Sequence, residues 1–181
     1  MRHVAMVARW KPVHLGHAAV LRGLMRNAER VSIGIGSSNI IDARNPFSAA
    51  ESAEMLARVV GVSTNVTIFE VPDLGDGPRW RDWLVERLGD VDLFVTANPC
   101  VASLMRVVMP VAHPVHFVPE AERIALNATM VRQRMLAGEP WDHLVPPAVA
   151  AYLRERCLVE RFVKAFAAQP AAVSAGGDRV E

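Results

Sequence analysis

The sequence predicts an α/β fold built on a doubly wound, five-stranded parallel sheet, and three observations predict it. Short apolar runs of strand length alternate with segments of helical periodicity through about residue 120. The runs end in glycine, proline or charged stops. From Ala128 onward the strands cease, and three helical segments follow in succession as a helical C-terminal subregion.

The elements read in order. HVAMVARW (3–10) is an apolar run with a stop, expected as a buried strand. Residues 14–28 place Leu15, Ala18, Ala19, Leu21, Leu24 and Met25 at helical spacing. VSIGIGS (31–37) is a second strand ending in glycines. Ser48, with Glu51 three residues on, forms the capping-box signature that opens the next helix. VTIFEV (66–71) is a third strand, DLGDGP (73–78) a turn-rich loop and RWRDWLVERL (79–88) an amphipathic helix. DLFVTA (92–97) is a fourth strand, and NPCVASLMRVV opens a helix with proline at its first position. VHFVP (115–119) is expected as the fifth strand. TMVRQRMLAG, PPAVAAYLRE and VERFVKAFAA are the three closing helices. One domain is expected over residues 1–168, with its sheet part at about 1–120 and its helical part at about 127–168. Residues 169–181, small and polar, read as a disordered tail.

Composition narrows the class of function. The 181 residues are 51% hydrophobic and 22% charged, as in ordinary soluble globular domains. A net charge of +1 argues against a broad nucleic-acid or membrane-surface footprint. No window reaches the apolar length of a membrane span, the N-terminus lacks a signal-peptide layout, and a cytoplasmic protein is expected. Cys100 and Cys157 are isolated and form no metal-binding pattern. Lys11 and Lys164 are the only lysines, so nearly all positive charge is arginine, which grips phosphate in a bidentate way.

Two phrases carry chemistry. RWKPVHLGH (9–17) falls where the first strand gives way to a helix, the place where open parallel sheets bind ligands. His14 and His17, one turn apart, face the same side, and the helix N-terminus favours an anion. Gly16 lets a ligand approach the backbone. With Arg9 and Lys11 the loop is a cationic cradle suited to a polyphosphate. In NATMVRQRM (127–135), Asn127 or Thr129 can cap a helix whose first amides stay open to phosphate, and Arg132 and Arg134 follow within the first turns. Read as a pair, the phrases form two clamps for one triphosphate.

Other motifs point nowhere else. GIGSS (34–38) follows the second strand and lacks the third glycine of a dinucleotide fingerprint. GxxxxGK[ST] and GxSxG are absent. His113 and His116 flank a proline without a third metal ligand nearby, and His143 reads as a surface residue.

The sequence resembles the HxGH-bearing nucleotidyltransferases, which have a Rossmann-like fold, and most closely the archaeal-type nicotinamide-nucleotide adenylyltransferases. ARWKPVHLGH stands where that family has a strand running into GRxQPFHxGH. IGIGSSNIIDARNPFSAAE (33–51) resembles its next segments, with Arg44 in the place of a substrate-phosphate arginine. TANPCV (96–101) resembles SGNPLV near the base, which brings in Asn98, and LNATMVRQRM resembles ISSTxxR, with Thr129 and Arg132 in place. The likeness covers roughly residues 3–165. Class I aminoacyl-tRNA synthetases share HxGH but are far longer.

The resemblance implies transfer of a nucleoside monophosphate from a triphosphate to a phosphate-bearing acceptor, with release of pyrophosphate. His14 and His17 would contact the triphosphate, and Arg132 would hold the leaving pyrophosphate with the helix start at Asn127–Thr129. Arg9 and Lys11 would bridge the phosphates, and Arg44 would bind the acceptor. Mg²⁺ would be carried by the phosphates rather than by side chains. The partners implied are small molecules, and the family's habit of assembling would imply a homo-oligomer.

The sequence also departs from the family pattern. Lys11 replaces glutamine, Val13 phenylalanine and Ser52 arginine, and Gly77 replaces an asparagine that precedes the ring-stacking tryptophan. Trp80 is either that stacking platform or a core residue of its amphipathic helix. The extra cations Lys11 and Arg79 suit a second reading, transfer of CMP or AMP to a small phosphonate or phosphate acid. A third is a non-catalytic nucleotide-binding relative.

Overall fold

Five strands, β1 (His3–Ala8), β2 (Arg30–Gly36), β3 (Val66–Val71), β4 (Leu93–Val95) and β5 (Val111–Ala112), form one sheet in the computed structural model, which describes residues 1–168. The predicted tail at 169–181 lies outside the described residues. Every pairing is parallel, and the strand order is β3-β2-β1-β4-β5. The order reverses between β1 and β4, so the crevice beyond their carboxyl ends is the switch point where such sheets bind ligands.

Among the described residues seven helices cover the sheet: α1 (Leu15–Asn27), α2 (Ala49–Val60), α3 (Gly77–Leu88), α4 (Pro99–Met105), α5 (Ala128–Ala137), α6 (Pro147–Glu155) and α7 (Leu158–Phe166). Side-chain alternation along β1 assigns the two layers. Val4 and Met6, with Ile33 and Ile35 of β2, belong to one core with α1, α2 and the three C-terminal helices. Ala5, with Phe94 and Val71, belongs to a second core with Trp80 and Leu84 of α3 and Met105 of α4. The sheet is therefore doubly wound, as predicted.

Local chemistry sets the helix starts. Ser48 Oγ accepts from the Glu51 amide at 3.2 Å, and the Glu51 carboxylate accepts from the Ser48 amide at 2.8 Å, completing the predicted capping box of α2. Asn127, not Thr129, caps α5, its Oδ1 accepting from the Met130 amide. Gly138 ends that helix at φ 67°, where its N–H reaches the Arg134 and Met135 carbonyls. Among the described residues no helix is long and apolar enough to cross a membrane, and Cys100 and Cys157 are exposed free thiols.

Three sequence expectations are corrected. The first strand stops at Ala8 because Trp10 takes a left-handed backbone, φ 57°, which turns the chain out of the sheet. The fourth stops at Val95, where Thr96 Oγ1 accepts from the Asn98 amide and begins the turn into α4, which itself ends at Met105. The fifth strand is Val111–Ala112 rather than 115–119. His113 Nδ1 accepts from the Val115 amide and Pro114 brings no donor, so Pro114–Phe117 wind into a 3₁₀ turn. Its carbonyl at Phe117 lies so close to α1 that a Cβ on Gly23 would sit 1.9 Å from it. The glycines of GIGSS, which the sequence does not read as a dinucleotide fingerprint, serve the sheet: a Cβ on Gly34 would come within 2.8 Å of methyls on Val7 and Val71.

Candidate functional site

The chain leaves β1 through a buried elbow. The fully buried Trp10 donates its indole N–H to the Gly34 carbonyl at 2.9 Å, and its ring lies 4.6 Å from that of His17. A non-glycine residue at positive φ costs on the order of 1–2 kcal/mol. The elbow then brings His14 to the N-cap of α1. There, His14 Nδ1 accepts from the His17 amide at 3.3 Å, and His17 Nδ1 accepts from the His14 amide at 3.4 Å. The two imidazoles stack with centroids 3.6 Å apart. The histidines thus build a capping box from ring nitrogens, and they face the same side as the sequence predicts.

This geometry fixes proton positions. Nδ1 of His14 is an acceptor, so the neutral ring carries its proton on Nε2. Burial, followed by the Arg132 charge, lowers His14 from 6.5 to about 4. Burial and the neighbouring His14 ring push His17 well below its ordinary value, against a hydrogen bond to the Pro12 carbonyl. Both imidazoles are neutral donors at neutral pH.

Arg132 lies across from them on α5, 2% exposed. Its Nη1 donates to the Lys11 carbonyl at 2.8 Å and its Nη2 to Thr129 Oγ1 at 3.1 Å, while its Nε is buried without a partner. Burial, with the charges of Arg9 and Arg44, lowers it to about 10, and Asp42 opposes the shift. Three guanidinium groups are thus held close enough to repel, an arrangement that an anion relieves.

His14, His17 and Arg132 border one cavity of about 620 Å³ at the switch point. The other predicted site residues Arg9, Lys11, Gly16, Arg44, Trp80, Asn98, Asn127 and Thr129 line it too. Their positions qualify several predicted roles. Lys11 is 1% exposed, and its ammonium donates to the Ser37 carbonyl at 2.8 Å and toward that of Ile40 at 3.4 Å. A Cβ on Gly16 would press on the His14 ring at 3.1 Å, so the glycine makes room for the imidazole. Trp80 is both wall and core: it is 6% exposed within the second core. Asn98 Oδ1 caps α4 by accepting from the Cys100 and Val101 amides. Arg79 is exposed and does not line the cavity.

Sequence reasoning missed three contributors. Trp10 shows no signal beyond an aromatic before Lys11. Asp42 Oδ1 accepts from the Arg44 and Asn45 amides at 2.8 and 2.7 Å, an Asx turn that presents Arg44; the DARN phrase carries that signal. The far wall comes from His113, Val115 and Val118, together with the segment Glu122–Ile124. Among the described residues no three His, Cys, Asp or Glu cluster to hold a metal.

Comparison with known proteins finds relatives over most of the chain. Residues 6–74 match the model of the cytidylyltransferase-like family. The nicotinamide-nucleotide adenylyltransferase of Thermococcus onnurineus is 34% identical over 159 residues, 86% of this chain and 83% of that one. The protein of the same name from Methanoculleus marisnigri is 34% identical over 158 residues, 86% and 92% of the two chains. A bifunctional NMN adenylyltransferase/ADP ribose pyrophosphatase from Francisella tularensis, solved with AMP and a manganese ion, superposes with a TM-score of 0.72 at 19% identity. That match covers 94% of this chain and 53% of the bifunctional one, and it speaks to the fold.

Proposed function

Because the chain belongs to the nicotinamide-nucleotide adenylyltransferase family, we propose that it transfers AMP from ATP to nicotinamide mononucleotide, forming NAD and pyrophosphate. The observation that carries the reading is Arg132. A guanidinium buried to 2% with an unpartnered Nε, facing a cavity shared with Arg9 and Arg44, is costly unless an anion sits there.

The site residues take complementary parts. An oxygen of the acceptor's phosphate bonds to the α-phosphorus while the bond from that phosphorus to the bridging β-oxygen breaks, and pyrophosphate carries away the electron pair. The attacking phosphate is already an anion, so no general base is required, which suits two neutral imidazoles. The Nε2 proton of His14 is placed to donate to an α-phosphate oxygen as charge builds there. Arg132 and the open amides of α5 hold the departing pyrophosphate, and Arg44 holds the acceptor's phosphate. Trp80 offers its ring to a planar base. Catalysis is then mostly positioning and charge neutralisation.

The cavity lining is cationic and rich in amides, so it fits a divalent cation that arrives on the triphosphate rather than one held by side chains. As part of MgATP such an ion would neutralise phosphate charge.

The test is direct. Purified protein is given MgATP or MgCTP with nicotinamide mononucleotide, or with small phosphonates, and pyrophosphate and dinucleotide are measured. NAD formation from ATP, reduced about 10²–10³-fold by Arg132→Met, is the expected result. Turnover of phosphonates alone, or nucleotide binding without pyrophosphate release, would replace this reading.

A further inference from the structure

Of the two lysines in the sequence, only Lys11 lines the cavity. It is bonded in two directions. Its backbone carbonyl receives Arg132 Nη1 at 2.8 Å. Its ammonium reaches across to β2's exit loop, where it meets the Ser37 and Ile40 carbonyls. That loop leads through the Asp42 turn to Arg44. Its outer side is tied separately: Asn39 and Asp73 exchange two hydrogen bonds, at 2.8 and 3.0 Å. One residue therefore spans the arginine assigned to pyrophosphate and the loop that presents the arginine assigned to the acceptor.

We propose that Lys11 is a positioning residue whose ammonium holds the 37–44 loop, and so Arg44, at a set distance from Arg132, making it a determinant of acceptor binding rather than a triphosphate ligand. The inference rests on the roles given above to Arg132 and Arg44. Charge supports it. Burial, helped by the smaller effect of Arg9, lowers Lys11 from 10.5 to about 8, against Asp42 and Asp73 on the two neighbouring loops, which favour the cation. A lysine this buried, already bonded to two carbonyls, acts on its own loop first. Glutamine can also donate to a carbonyl but reaches less far and carries no charge.

Lys11→Met and Lys11→Gln test the proposal by two measurements. In steady-state kinetics Lys11→Met is expected to raise the acceptor KM about tenfold or more, as one charged hydrogen-bonding contact is worth. The nucleotide KM should stay within about threefold. Lys11→Gln should recover part of the loss. In hydrogen exchange with ATP alone, amides of 38–45 should open about tenfold faster in Lys11→Met while those of α5 hold. A nucleotide KM that rises as much as the acceptor KM, or exchange over 38–45 equal to wild type in both variants, overturns it. Wild type that makes no NAD would fail the acceptor assignment, while the exchange measurement would still decide the role of Lys11.

Discussion

His14 serves the helix and the cavity with one ring, and two substitutions separate the services. His14→Ala removes both the cap, His14 Nδ1 to the His17 amide at 3.3 Å, and the Nε2 donor. His14→Asn removes the imidazole but leaves a side chain that caps as well as any. An N-cap is worth about 1 kcal/mol, which in a domain of this size shifts the melting temperature by about 2–4 °C. His14→Asn should therefore melt about that much above His14→Ala. Turnover should fall in both by the same factor, about 10²–10³, the loss of one preorganised donor at the transition state. Circular dichroism melts and pyrophosphate release under saturating MgATP measure the two quantities. Equal melting temperatures would refute the capping role, and near-wild-type turnover in His14→Asn would refute the catalytic one.

Gly16→Ala gains up to about 1 kcal/mol of helix propensity but presses on the His14 ring that caps α1, which costs about 1 kcal/mol, so it should change stability little and lower turnover; calorimetry and kinetics on one preparation check both. Gly23→Ala gains the same propensity but drives a Cβ into the Phe117 carbonyl, so urea unfolding should show a net loss of about 1–3 kcal/mol. Stability should also fall as pH drops from about 6.5 toward 4. Over that window the unfolded chain takes up a proton on His14 that the folded chain refuses, so the contribution is fully present above it and is lost below. Urea midpoints at pH 7.5 and 5 measure the slope, which His14→Asn should reduce.

What the sequence made legible was local. The capping box at Ser48 and Glu51 is a four-residue pattern, and the strand at Val66–Val71 was read with its true ends, because its apolar run is cleanly bounded. His14 and His17 could be placed together from helical spacing alone. What the sequence left unread shares a different cause. Gly34 answers to Val7 and Val71 on neighbouring strands, and Lys11 to carbonyls 26 and 29 residues away. Arg132 meets Lys11 across 121 positions. No window of sequence contains such partners. The segment 115–119 had strand composition, but one histidine cap and a proline decided for a turn.

The separation between Arg132 and the loop that it braces also bears on synthesis. A polypeptide halted before residue 128 would already carry the residues of the five described strands and both histidines, yet not Thr129 or Arg132, to which the proposed function gives the leaving pyrophosphate. Competence to react would arrive only as the last three helices settle against β1 and β2. On that proposal, a nascent chain on the ribosome would stay chemically silent until residues 128–166 had emerged.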